Sequence, residues 1–158
     1  TRLKSVAFSN GVKNIMTKLK TTTVRNGIYH ITQRAPGKEL LFLEEGDNLY
    51  FLKLLKESSK MFSIDIFCFA LLSNHVHILL RIKKTNLSIA MKFLFQSYAL
   101  YFNNKYQRKG HVFCGRYRSS FCNDDTYLLT VSLYIHLNPF KAGLTRNIFD
   151  YKWYSLDP

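Results

Sequence analysis

The sequence predicts an α+β domain built on an antiparallel sheet with packed helices, of ferredoxin-like or RRM-like type. Two observations predict it. Segments rich in Ile, Val, Thr, Tyr and Phe are interleaved with longer segments whose apolar residues recur at helical spacing, in the order strand, helix, strand, strand, helix, short strand, helix. In addition, the two middle strands are separated only by Ser73 and Asn74, which makes them an antiparallel hairpin.

The elements follow in chain order. Residues 1–20 carry five basic side chains and no acid and read as a basic N-terminal arm, leaving 21–158 as a single domain. "VRNGIYHITQR" alternates and runs into the Pro-Gly turn of "APGK", so a strand is expected at about 24–33, carrying His30. Leu49, Phe51, Leu52, Leu54 and Leu55 recur at helical spacing behind Glu44, Glu45 and Asp47, which favour a helix start; a first helix runs to about Lys60. "FSIDIFCFALLSNHVHILLRI" is too polar in its middle for one buried helix and splits near Ser73-Asn74 into two strands.

A second helix covers "NLSIAMKFLFQSYALYFNNKY", with Ile89, Met91, Phe93, Leu94, Tyr98 and Tyr101 on its stripe and Asn103-Asn104 closing it. A basic, aromatic loop follows and leads into a short strand at 115–122. The third helix is capped among Asn123, Asp124 and Asp125, presents Tyr127, Val131, Tyr134 and Ile135 on one face, and is expected to stop at Pro139.

The chain has 158 residues, enough for one core, and its 47% hydrophobic and 15% aromatic content excludes a disordered chain. Its 23 Lys+Arg against 10 Asp+Glu give a net charge of +13, a surface that attracts polyanions. No amphipathic basic helix stands out, so nucleic acid ranks above a membrane surface. Three cysteines, Cys68, Cys114 and Cys122, show no disulfide-framework spacing, and no apolar run reaches the roughly 18 residues of a membrane span. A cytoplasmic protein without membrane contact is expected.

Chemistry gathers at "NHVH". On a strand, alternate residues share a face, so His75 and His77 point the same way, about 7 Å apart, as a pair able to share a metal. For a bare pair, a satisfied, half-buried histidine beside an incidental one is the commoner outcome. Tyr134 and Asn138, four apart on a helix, also share a face. Tyr134 would pass for core on its own, given 10 tyrosines in the chain. His111, Cys114 and Cys122 invite a zinc reading, but a fourth ligand at finger spacing is missing. Arg108, Lys109, Arg116 and Arg118, interleaved with Tyr106, Phe113 and Tyr117, suit single-stranded DNA, where cations follow phosphates and rings stack on bases. Arg116 and Arg118 alternate and would share a strand face.

"NGIYHITQR", "ALLSNHVHILLR", "GHVFCGRYRSSF" and "YIHLNPFKAGL" stand in an order and spacing that resemble the IS200-like, single-tyrosine transposases, above all their REP-associated tyrosine transposase branch. The resemblance covers roughly residues 24–145. It implies a sheet of the HUH endonuclease type, with His75 and His77 on a central strand binding a divalent metal, Asn138 as third ligand and Tyr134 as nucleophile. Tyr127 is the fallback nucleophile.

The resemblance further implies Mg²⁺, or Mn²⁺, as cofactor and single-stranded DNA with a hairpin as partner. The activity it implies is cutting and rejoining of that strand through a 5′-phosphotyrosine. Homodimers and monomers both occur among such proteins, and the residues do not choose. The competing reading, from another class, is a non-catalytic RRM-like nucleic-acid-binding domain descended from such an enzyme.

Overall fold

The computed structural model describes residues 24–84 and 86–155. The basic arm expected at 1–20 lies outside the described residues. Four strands, β1 (Ile28–Arg34), β2 (Ile64–Leu72), β3 (His75–Ile82) and β4 (Arg118–Cys122), form one sheet in the order β2-β3-β1-β4. Every pairing is antiparallel. Helices α1 (Glu45–Phe62) and α2 (Leu87–Lys105) cover one face and α3 (Asp125–Lys141) the other. The chain is thus a mixed α+β fold with ferredoxin-like strand order.

Side-chain parity in β3 fixes what each face can carry. Val76, Ile78, Leu80 and Ile82 are all buried in the core against α1 and α2, where Phe51, Leu54, Leu94 and Tyr98 meet them. Each such burial stabilises by about 1.5–3 kcal/mol. A one-residue slip would expel all four and draw the histidines into that core, so register is strongly specified. His75, His77 and Leu79 are therefore held on the α3 face. There a smaller core of Cys68, Ala70, Leu72, Leu79 and Cys122 packs against Val131, Ile135 and Tyr154.

Several boundaries differ from the sequence expectation. β1 begins at Ile28 rather than near residue 24, because Asn26 (φ 59°) and Gly27 form a turn closed by Gly27 N–H to Val24 O at 2.9 Å. A Cβ at Gly27 would sit 2.7 Å from Val24 O, so the close approach needs glycine. β4 begins at Arg118 rather than 115, since Cys114 N–H is spent on Arg34 O and Gly115 (φ 69°) turns the chain. Consequently Arg116 does not share strand alternation with Arg118.

The α2 stripe buries Ala90, Met91, Leu94, Phe95, Tyr98 and Phe102, while Ile89 faces outward, and Leu49 does the same on α1. α3 does not stop at Pro139 but continues to Lys141. Proline removes only its own amide donor there. The end is closed by Ala142 N–H to Asn138 O and Leu144 N–H to Pro139 O, with Gly143 (φ 70°) turning out of the helix.

The helix starts are capped as their sequences suggest. Asp47 Oδ2 accepts from Leu43 and Glu44 N–H ahead of α1, and Asp124 accepts from Tyr127 N–H ahead of α3. Beyond α3, Leu71 N–H donates to Trp153 O and Ser155 N–H to Phe69 O, so residues 153–155 cover the outer edge of β2. Among the described residues, no helix is long and apolar enough to cross a membrane.

Candidate active site between the sheet and the third helix

One cross-strand row defines the floor of the site. Ala70, His77, Thr32 and Arg118 stand opposite one another on β2, β3, β1 and β4. Arg34 faces His75 in the next row, and His30 lies on the same face two residues from Thr32. Ala70 is small enough to leave the space beside His77 to the helix above.

The histidines are held tightly. His75 Nδ1 donates to Asn74 Oδ1 at 2.7 Å, which leaves its Nε2 with a lone pair. His77 is 4% exposed; its Nδ1 lies 3.0 Å from His30 Nε2 and 3.3 Å from Thr32 Oγ1. The rings of His30 and His77 are nearly parallel, with planes 21° apart and centroids 5.2 Å apart. Burial, helped by neighbouring His30 and His75, pushes the His77 imidazole down to about 3, and burial pushes His30 to about 4. Burial and then the Arg34 charge lower His75 too. All three are neutral at neutral pH.

From above, α3 supplies two further groups. Val131 and Ile135 are buried against the sheet, and this packing turns Tyr134 and Asn138 toward the histidines. Asn138 is 8% exposed, and its Nδ2 donates to His77 Nε2 at 3.2 Å. The Tyr134 ring stands edge-on to His77 with centroids 5.6 Å apart, and to His30 at 6.4 Å. It remains 43% exposed. Tyr127 lies seven residues earlier, about 10 Å from Tyr134 along the helix axis. Asn138 sits in the last turn of α3, and the proline after it does not turn it away.

The donor set of His75, His77 and Asn138 is two imidazole nitrogens and an amide that carries an oxygen beside the nitrogen now on His77. Such a set suits a borderline divalent cation completed by phosphate oxygens and water. Among the described residues, no cluster of three or more His, Cys, Asp or Glu is placed to hold a metal. Cys122 is buried in the small core, whereas Cys114 and His111 are exposed in the loop before β4.

The four basic residues singled out in the sequence stand differently. Arg118 is exposed on the site face, in the row of His77. Arg116 and Lys109 are exposed on the loop that Cys114 N–H and Gly115 O tie to the end of β1, at Arg34 O and the Gln33 side chain. Arg108 is engaged: its guanidinium pairs with Glu39 and packs over the Phe102 ring.

Sequence reasoning left out His30, Thr32, Arg34 and Lys141. The last has its ammonium 5.5 Å from the Tyr134 ring centroid. Alternation within "HITQR" groups His30, Thr32 and Arg34 on one face, but only pairing with β3 brings them to the histidine pair.

The fold and site define a class: a ferredoxin-like sheet bearing two alternate histidines beneath a helix that carries a tyrosine and an amide. Residues 23–138 match the IS200-like transposase family, and the chain belongs to that family. In backbone it is similar to a REP-associated tyrosine transposase solved bound to a REP hairpin, with a TM-score of 0.76 at 12% identity, over 89% of this chain and 83% of that one. It is also similar to a candidate transposase from Deinococcus radiodurans R1, with a TM-score of 0.53 at 13% identity, over 75% of this chain and 95% of that one. At such identities the likeness speaks for the fold. No curated protein matches the chain.

Proposed function

We propose that this transposase-family chain is an endonuclease that cuts and rejoins single-stranded DNA beside hairpins, with Tyr134 as nucleophile. The observation that carries the reading is the exposed Tyr134 ring standing edge-on to buried, neutral His77, with Asn138 of the same helix bonded to that histidine.

In the forward step Tyr134 Oη attacks a phosphorus of the bound strand, and the bond from phosphorus to the 3′ oxygen breaks. The phenol proton passes to water, and the departing oxygen takes up a proton to become a 3′-hydroxyl. The 5′ phosphate stays on Tyr134 as a phosphodiester, so the bond energy is kept for rejoining by a later 3′-hydroxyl. A divalent cation, Mg²⁺ or Mn²⁺, held by His75, His77 and Asn138 would polarise the phosphate and neutralise charge developing on its oxygens.

The rest falls to the chain's own residues. Packing of Val131 and Ile135 orients Tyr134, and Arg34, Arg118 and Lys141 ring the site with positive charge for the phosphates. Lys109 and Arg116, exposed on the loop before β4, add to the positive charge available to the strand. The hairpin preference is supported by the REP hairpin on the similar transposase. Tyr134 stands over the histidines of its own chain.

The test is a denaturing gel with labelled hairpin-bearing single strands from DNA flanking the gene, with Mg²⁺ or Mn²⁺ and with chelator. A protein-linked band that needs metal supports the reading. Hairpin binding with no linked band under any metal would favour a purely binding domain.

A further inference from the structure

A neutral His77 has one ring proton, and its neighbours decide where it sits. Asn138 Nδ2 donates to His77 Nε2 at 3.2 Å, so Nε2 carries the lone pair and Nδ1 the proton. Nδ1 then has to find an acceptor in a buried site. Two groups face it: His30 Nε2 at 3.0 Å and the Thr32 hydroxyl at 3.3 Å. The nearer one belongs to a ring whose plane is tilted by 21° from that of His77. His75 is treated in the same way, its Nδ1–H given to Asn74 Oδ1. Both histidines of β3 are thus tied at Nδ1 and carry the lone pair on Nε2, but the acceptor for His77 comes from another strand, 47 residues away in sequence.

We infer that His30 is a positioning residue: its Nε2 accepts the His77 Nδ1–H and holds His77 in the tautomer whose Nε2 lone pair faces Asn138. The inference rests on the proposed function for its consequence, since that lone pair is the one a divalent cation would take. The opposite polarity, with His30 donating to His77 Nδ1, would put the His77 proton on Nε2. Two donors would then meet between His77 and Asn138, and a cation would be refused. The direction of one hydrogen bond therefore sets the ligating competence of the site. Thr32, opposite His77 in the register and slightly farther from Nδ1, is the secondary acceptor.

Long-range ¹H–¹⁵N NMR of the histidine rings in the full chain without metal, followed by Mn²⁺ titration, tests this. The wild-type chain is expected to show His77 protonated at Nδ1. His30→Phe keeps a flat ring but no acceptor; it should mix the His77 tautomers and weaken Mn²⁺ binding by roughly 10- to 100-fold. His30→Gln, whose amide oxygen can accept, should restore both to within a few-fold, and Thr32→Val should have the smaller effect.

A wild-type His77 protonated at Nε2 overturns the inference, and needs no variant to fold. So does a folded His30→Phe with unchanged tautomer and Mn²⁺ affinity, or a folded His30→Gln that rescues neither. If the tautomer responds as expected while the wild-type chain binds no Mn²⁺, His30 keeps its orienting role and the metal reading of the proposed function falls instead.

Discussion

The Tyr134 ring meets the His77 imidazole edge-on, with centroids 5.6 Å apart and planes at 89°. The two residues come from α3 and β3, and what joins them is packing of the helix on the sheet rather than a bond between them. Ile135, fully buried next to Tyr134, is a main part of that packing. Ile135→Ala should destabilise the fold by about 2–5 kcal/mol through lost burial and a cavity. It should also slow strand cleavage beyond the loss of folded protein, because Tyr134 loses its seat. Denaturant unfolding and cleavage rates on the same preparation check both.

The histidines should contribute unequally to stability and alike to ligation. His75→Ala removes a half-buried side chain at the mouth of the site, whereas His77→Ala empties a buried position and strands the Asn138 amide. Calorimetric titration should show Mn²⁺ binding lost in both variants. Thermal unfolding should show the larger loss of stability in His77→Ala.

Arg118 and Arg108 separate a cation at the site from one with a partner of its own. Arg118→Ala should weaken single-stranded DNA binding and lower the slope of log affinity against log salt by about one unit. Arg108→Ala should change the slope less, because its charge is already paired with Glu39. Fluorescence anisotropy over a salt series reads both.

A pH dependence is built in on the opposite face. Burial pushes the Asp47 carboxyl up, but hydrogen bonds from Lys105, Leu43 N–H, Tyr106 and Glu44 N–H outweigh it and hold the group below its ordinary value. The unfolded chain therefore binds a proton first as pH falls. The stabilisation is complete above the ordinary carboxylate range near pH 4 and fades as pH drops through the folded value. Asp47→Asn should lower stability by roughly 3 kcal/mol at neutral pH and flatten the acid limb of the stability profile.

Much of this arrangement is legible in the sequence, and the legible part is local. The split at Ser73-Asn74 follows from composition, and the shared face of His75 and His77 from strand parity. Tyr134 and Asn138 meet the same site because four residues separate them on a helix. The order of elements gave the ferredoxin-like fold. What stayed hidden depends on register between distant segments: His30 reaches His77 only through β1–β3 pairing, and Lys141 reaches Tyr134 only because α3 runs past Pro139. The late starts of β1 and β4 reflect turn chemistry at Asn26-Gly27 and Cys114-Gly115, which alternation alone overlooks.

The most direct test of the central claim is to locate the DNA on the protein. After reaction with a hairpin strand and nuclease trimming, trypsin should yield a peptide from Ser119 to Lys141 that holds both Tyr127 and Tyr134, and fragment masses tell them apart. The account predicts the residual nucleotide on Tyr134 and no linked product from Tyr134→Phe. A nucleotide on Tyr127, or a linked product that survives Tyr134→Phe, would contradict it.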